Sequence, residues 1–133
     1  MGTTRLDGYH HASLTVADLD RSTGWYERVF DLVELFREPG PRRAVVYRLP
    51  GTREMFGLVQ HPDGDRSAFR PDRTGLDHLA FSTPSRADID GWATCLDSLG
   101  IHHSGVIEIP TGAILNFRDP DGIQLAIFWE AAS

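Results

Sequence analysis

The sequence predicts an α+β fold: two tandem βαβββ modules whose sheets form a curved, incomplete β-barrel around a cavity. Three observations predict it. The first is an internal duplication. Shifting the chain by 67 residues lays Gly24-Trp25 on Gly91-Trp92, His11 on His78, Val29 on Leu96 and Leu32 on Leu99 without a gap. Tryptophan occurs three times, so two of the three standing in register with a matched His and a matched Gly mark a repeated unit. The second is that each copy reads as a strand, a helix and then three strands. The third is length: 133 residues supply one respectable core but not two independent ones. Module 1 (about 8–61) and module 2 (about 76–130) are therefore expected to share one domain over 1–133, joined by a polar connector at about 62–75.

The elements follow in order. Residues 9–16 are short and rich in β-formers, and they lead to Asp18, a good helix cap. Ser22, Trp25, Tyr26, Val29 and Leu32 then recur at helical spacing. Strand-like segments follow at about 33–37, 44–49 and 54–60, and the stretch 62–75 reads as the connector rather than a lid. The second copy opens with a strand over 76–83. Ser85 with Asp88 three residues on makes a capping-box pattern, and Ile89, Trp92, Ala93, Leu96 and Leu99 carry a helix to Gly100 in the stop position. Its strands fall at about 101–109, 113–118 and 123–129. Turns are expected at 39–41, 50–51, 110–112 and 119–122, where Pro, Gly and Asp cluster.

Strand parity assigns faces. In the first strand His11, Ser13 and Thr15 share one side and Ala12, Leu14 and Val16 the other; in its counterpart His78, Ala80 and Ser82 lie opposite Leu79, Phe81 and Thr83. The apolar sides should pack under the helices, leaving the smaller, more polar sides, each with its His, facing a shared concavity. Trp25, Tyr26 and Trp92 read as core. Tyr47 and Asn116, equivalent under a shift of 69, read as inward polar contacts. Phe128 shares the parity of Ala126 and should point inward, with Trp129 turned toward a helix or a partner subunit. His10 should sit opposite His11 in a structural role, and His61, His102 and His103 read as solvated loop or strand-edge residues.

Composition narrows the function. Hydrophobic content of 41% and charged content of 24% suit a soluble globular protein, and no apolar run is long enough to span a membrane. A formal charge of −6, with 13 basic residues scattered among 19 acidic ones, leaves no basic stripe for phosphates. Nucleic acid is excluded as a partner on that ground, and a neutral or cationic small ligand fits the balance better. The lone Cys95 cannot form an intrachain disulfide and reads as a small buried hydrophobe in a reducing cytoplasm. No secretory or transit peptide is visible at Met1-Gly2-Thr3-Thr4. Nucleophile elbows, phosphate-binding glycine loops, dinucleotide fingerprints and cysteine-rich metal clusters do not occur.

Four segments carry a family resemblance: His11-Ala-Ser-Leu-Thr-Val-Ala-Asp18-Leu, Trp25-Tyr26, Gly75-Leu-Asp-His78-Leu-Ala-Phe and Phe117-Arg-Asp-Pro-Asp-Gly-Ile-Gln-Leu. Together they make nearly the whole chain resemble the vicinal oxygen chelate superfamily, which contains glyoxalase I, extradiol dioxygenases, fosfomycin-resistance enzymes and bleomycin-resistance proteins. Such a group hosts many unrelated chemistries, so the resemblance speaks to fold more than to reaction. In its metal-dependent members a divalent ion is held by side chains from the first and last strand of each module, commonly two His plus one or two carboxylates. The resemblance maps His11 and His78 onto the two first-strand positions. It maps Gly57 and Ala126 onto the last-strand positions, where neither residue offers a donor. A divalent ion with open exchange sites needs at least three protein ligands as a rule, so two imidazoles alone would hold it weakly. Gln60, Glu108, Gln124 and Glu130 are the side chains that could complete a shell.

The resemblance therefore implies a small-molecule binding protein of the glyoxalase/bleomycin-resistance type, capturing a small organic ligand without metal, in sequestration or resistance, as a homodimer. No cofactor is expected. Ligand contacts are expected from His11, Ser13, Tyr47, Gly57, His78, Asn116, Gln124, Ala126 and Phe128. Two alternatives stay open. One is a metal-dependent lyase, isomerase or extradiol-type dioxygenase with His11 and His78 as divalent-metal ligands. The other is a metal-free enzyme in which one of these His acts as acid or base.

Overall fold

The structure, a computed structural model, describes residues 2–132. It contains two helices and two four-stranded mixed sheets, so the α+β class and the repeated strand–helix–three-strand order are as the sequence predicts. The chain forms two compact units, one up to Arg66 and one from Ser67 onward. Among the described residues no helix is long and apolar enough to cross a membrane.

The first unit runs β1 (His11–Thr15), α1 (Leu19–Val29), β2 (Val33–Pro39), β3 (Arg43–Arg48) and β4 (Met55–Gln60). Its sheet has the order β1-β4-β3-β2, with β1 parallel to β4 and the other pairs antiparallel. The helix starts where Asp18 Oδ1 accepts the Arg21 N–H at 3.2 Å. A second orphan donor, the Leu19 N–H, is taken by Gln60 Oε1 at 2.8 Å, so the last strand ties off the first helical turn. Leu19, Ser22, Trp25, Tyr26 and Val29 lie three or four residues apart and form the buried stripe of α1. Tyr26 meets Phe56 of β4 with ring centroids 5.7 Å apart, and Leu14, Val45 and Leu58 fill the same layer. Each such fully buried aliphatic side chain contributes roughly 1.5–3 kcal/mol against conformational entropy.

The second unit runs β5 (Leu79–Ser82), α2 (Arg86–Ser98), β6 (His103–Ile109), β7 (Gly112–Arg118) and β8 (Gln124–Glu130), with sheet order β5-β8-β7-β6 and β5 parallel to β8. Ser85 caps α2: its Oγ accepts the Asp88 N–H at 3.1 Å and donates to Asp88 Oδ2 at 2.7 Å. Ile89 and Leu96 are the buried helix residues, and Leu115, Leu125 and Ile127 are the buried strand residues of this unit's core. Trp25 is buried as expected, but Trp92 is half-buried because α2 is the less deeply seated helix. Cys95 is a half-buried free thiol on α2.

The strand boundaries differ from expectation at three informative places. Helix α1 stops at Val29, before Leu32. Strand β5 starts at Leu79, so His78 stands just outside it, and β6 starts at His103. The pairing of β6 with β7 then slips between His103 and Val106, a bulge in which Gly105 takes φ +74°, a conformation that costs a side-chain-bearing residue energy.

Candidate functional site

Each sheet has a helix-covered face and a face without a helix, and the expected parity of the first strands holds. In the first unit Leu14 is buried on the helix side while His11, Ser13 and Thr15 are exposed on the other. Ser13 pairs with Gly57, and Gly57 pairs in turn with Val46, which places His11, Ser13 and Gly57 on one surface. A Cβ added at Gly57 would come within 3.0 Å of Ser13 Oγ and 3.4 Å of the Val45 carbonyl oxygen. No larger residue enters here unless Ser13 moves.

Two expectations for the first unit need correction. Tyr47 is not an inward polar contact: it is fully buried on the helix side, where its hydroxyl donates to Glu27 Oε1 at 3.1 Å and its ring lies 5.7 Å from Phe56. Burial, reinforced by the Glu27 carboxylate, raises its pKa above the ordinary phenol value. The cause of the error is turn length. Residues 49–54 join β3 to β4 whereas 119–123 join β7 to β8, one residue fewer, so Asn116, which pairs with Ala126, corresponds to Val46, which pairs with Gly57. A one-residue slip in register exchanges the faces. The second correction concerns His10. It precedes β1, outside strand parity, and its ring turns back onto His11 with the two Nδ1 atoms 2.8 Å apart, one donating and one accepting.

The second unit holds a cleft of about 720 Å³. His78 lines it from the approach to β5, Gln124 and Leu125 from β8, and Asn116, Phe117 and Arg118 from β7. The fourth wall is 101–104, the segment that leads into β6. Ala126 and Phe128 continue the face of Gln124 along β8, with Ala126 paired to Ala80 and Phe128 to Ser82. Of the sequence-selected residues, then, His78, Asn116 and Gln124 line one cleft with Ala126 and Phe128 on the same face beyond it. His11, Ser13 and Gly57 belong to the surface of the first unit, and Tyr47 belongs to neither.

The histidines of the cleft differ in what they can do. His78 Nδ1 lies 2.7 Å from Asp77 Oδ1; since a carboxylate only accepts, the proton sits on Nδ1 and Nε2 remains for a ligand. His103 is not the solvated edge residue expected. Its side chain is 14% exposed, its Nε2–H donates to Asp97 Oδ1 at 2.7 Å, and its Nδ1 accepts the Gly105 N–H at 2.9 Å. Both ring nitrogens are committed to partners, so the ring offers a ligand no free nitrogen. His102 is exposed yet also lines the cleft, while His61 is exposed in a turn, as expected. Ser104 Oγ accepts the Asn116 N–H at 3.0 Å and thereby bridges the β6 bulge.

Arg118 is the residue that sequence reasoning missed. It lines the cleft and pairs with Gln124 across the strands, and its side chain has no hydrogen-bond or ion-pair partner among the described residues. Its signal was available in the parity of β7, two residues beyond Asn116.

A divalent ion of the kind the resemblance implies does not fit the donors present. Gly57 and Ala126 supply none. Gln60 Oε1 is occupied by the Leu19 N–H, and Glu108 is ion-paired with Arg86 on the helix side. Gln124 has only a neutral amide, and Glu130 is exposed at the end of β8. Among the described residues no three or more His, Cys, Asp or Glu side chains cluster as a metal site.

Comparison with known proteins gives a consistent answer. A protein of Pseudomonas aeruginosa known only as uncharacterized is 29% identical over 115 residues, covering 84% of this chain and 81% of that protein. The crystal structure of a glyoxylase/bleomycin resistance protein/dioxygenase domain from Frankia sp. EAN1pec shares 37% identity at a TM-score of 0.88, covering 97% of this chain and 96% of that one. The fosfomycin resistance protein FosX from Listeria monocytogenes has the same fold at 19% identity and a TM-score of 0.75, covering 96% and 94%. The family model of the Glyoxalase/Bleomycin resistance protein/Dioxygenase superfamily matches residues 8–127, and to that superfamily this chain belongs.

Proposed function

We propose that this protein captures a small organic ligand without a metal ion, in sequestration or resistance. The observation that carries the reading is the donor set: the two last-strand positions hold Gly57 and Ala126, and the side chains that could substitute, Gln60 and Glu108, are hydrogen-bonded or ion-paired elsewhere. Two neutral imidazoles do not offset the charge of a divalent ion. The cleft of the second unit, of a size typical for small-molecule sites, supplies amides, an imidazole and a guanidinium instead. Elemental analysis of purified protein tests this. Manganese, zinc, iron and nickel are expected far below stoichiometry. Near-stoichiometric metal that is lost from both His11→Ala and His78→Ala overturns it.

One observation favours a second reading, a metal-free enzyme. The Asp77–His78 contact holds the ring in one tautomer and leaves Nε2 as a base at the cleft. Turnover that follows a sigmoid pH profile and vanishes in His78→Gln separates this from passive capture. Two further parts of the proposal concern context. The exposed Val33 (48%) and Phe36 (53%) on β2 and Ile107 (43%) on β6 support association with a second copy, which sedimentation equilibrium measures. The free thiol of Cys95 supports a reducing compartment such as the cytoplasm.

A further inference from the structure

We infer that the cleft of the second unit binds an organic oxyanion, a carboxylate or phosphonate carried on an apolar body, with Arg118 as the anion anchor. The inference rests on the metal-free capture reading and names its ligand class.

The acidic balance of the whole chain, −6, argues for a neutral or cationic guest, but charge close to the site outweighs a diffuse surface field screened over about 10 Å. Along the cleft lining itself the fixed charge is cationic. No Asp or Glu lines the cleft. The nearby acids are engaged elsewhere: Asp77 and Asp97 are hydrogen-bonded to the rings of His78 and His103, and Asp119 Oδ1 accepts the N–H groups of Asp121 and Ile123. Arg118 stands in the cleft wall with no carboxylate on its side chain among the described residues. A guanidinium presents a planar fork that matches two oxygens of a carboxylate or phosphonate, and such charge-assisted contacts are about twice as strong as neutral ones. The Gln124 amide, directly across from Arg118, supplies a further donor.

The same face describes the rest of the ligand. Successive cross-strand rows are Arg118–Gln124, Asn116–Ala126 and Ile114–Phe128. They pass from cationic through polar and small to apolar, each step two residues or about 7 Å. Within the cleft itself a molecule with its anion on Arg118 lies beside Asn116 and Gln124, and Ile101, Phe117 and Leu125 give its body an apolar wall; Ala126, 2% exposed, and Phe128 lie beyond the lining.

Naphthoate and its neutral isostere naphthamide test the assignment by calorimetric titration at constant pH in excess chelator. Naphthoate is expected to bind the native protein about ten- to a hundredfold more tightly than naphthamide. Arg118→Gln should abolish that preference by weakening naphthoate far more than naphthamide, and Arg118→Lys should retain part of it. Because Arg118 is exposed, the variants keep the native melting temperature, which the same samples report. Equal affinity for the two probes, a preference that survives in Arg118→Gln, or no saturable binding of naphthoate overturns the inference. Naphthoate binding that vanishes in chelator and returns with Mn(II) overturns metal-free capture alone. In that case the loss of preference in Arg118→Gln, measured with the ion present, still decides the role of Arg118.

Discussion

Tyr47 shows how much one side chain's surroundings decide. Its hydroxyl is bonded to Glu27 and its ring is closed in by Phe56, so it serves the core rather than a ligand. Replacing it by Phe is expected to cost about 1 kcal/mol in chemical denaturation and to leave naphthoate affinity unchanged. Alkaline pH gives an independent check. The folded pKa is raised, so this stabilisation is complete below the ordinary phenol value of about 10 and is lost as pH climbs beyond it, toward the folded value. Unfolding monitored above pH 10 should therefore steepen in the native protein more than in Tyr47→Phe. At this scale the sequence was legible where a residue's identity settles the chemistry: Gly57 and Ala126 can donate nothing wherever they point. It was not legible where partners settle it. His103 owes its inert state to Asp97 on the helix and the Gly105 N–H at the bulge, two contacts that the tertiary fold creates.

Elements were read more completely, because each carries its own start signal. Asp18 and Ser85 both cap helices as their types demand, and the segments between turn clusters became strands. Ser85→Ala is expected to lower stability by about 1 kcal/mol, read from the denaturation midpoint at constant m-value. What escaped was the bulge of β6. A glycine in a strand-like run signals either a weak point or a left-handed residue, and spacing does not choose between them. The positive φ of Gly105 chooses the latter, so Gly105→Ala should cost roughly 1–2 kcal/mol. It should also loosen the Asn116 N–H to Ser104 Oγ bond, visible as faster amide exchange at Asn116.

For the molecule as a whole, the duplication was legible since both copies keep their His, Trp and Gly in register, and the family match over 8–127 agrees with it. Overall charge is a weak guide to a ligand for a physical reason: it sums over a surface, whereas recognition samples a few ångströms. If no ion is integral, prolonged dialysis against chelator is expected to leave the melting temperature and the naphthoate affinity unchanged. A drop of several degrees, reversed by one divalent metal, would contradict that.

The unequal hairpins at 49–54 and 119–123 have a broader consequence. Adding or deleting one loop residue rotates an entire strand's repertoire between interior and guest surface. After a gene segment doubles, its two halves can thus acquire different recognition repertoires through a single indel, before any interior residue has been replaced.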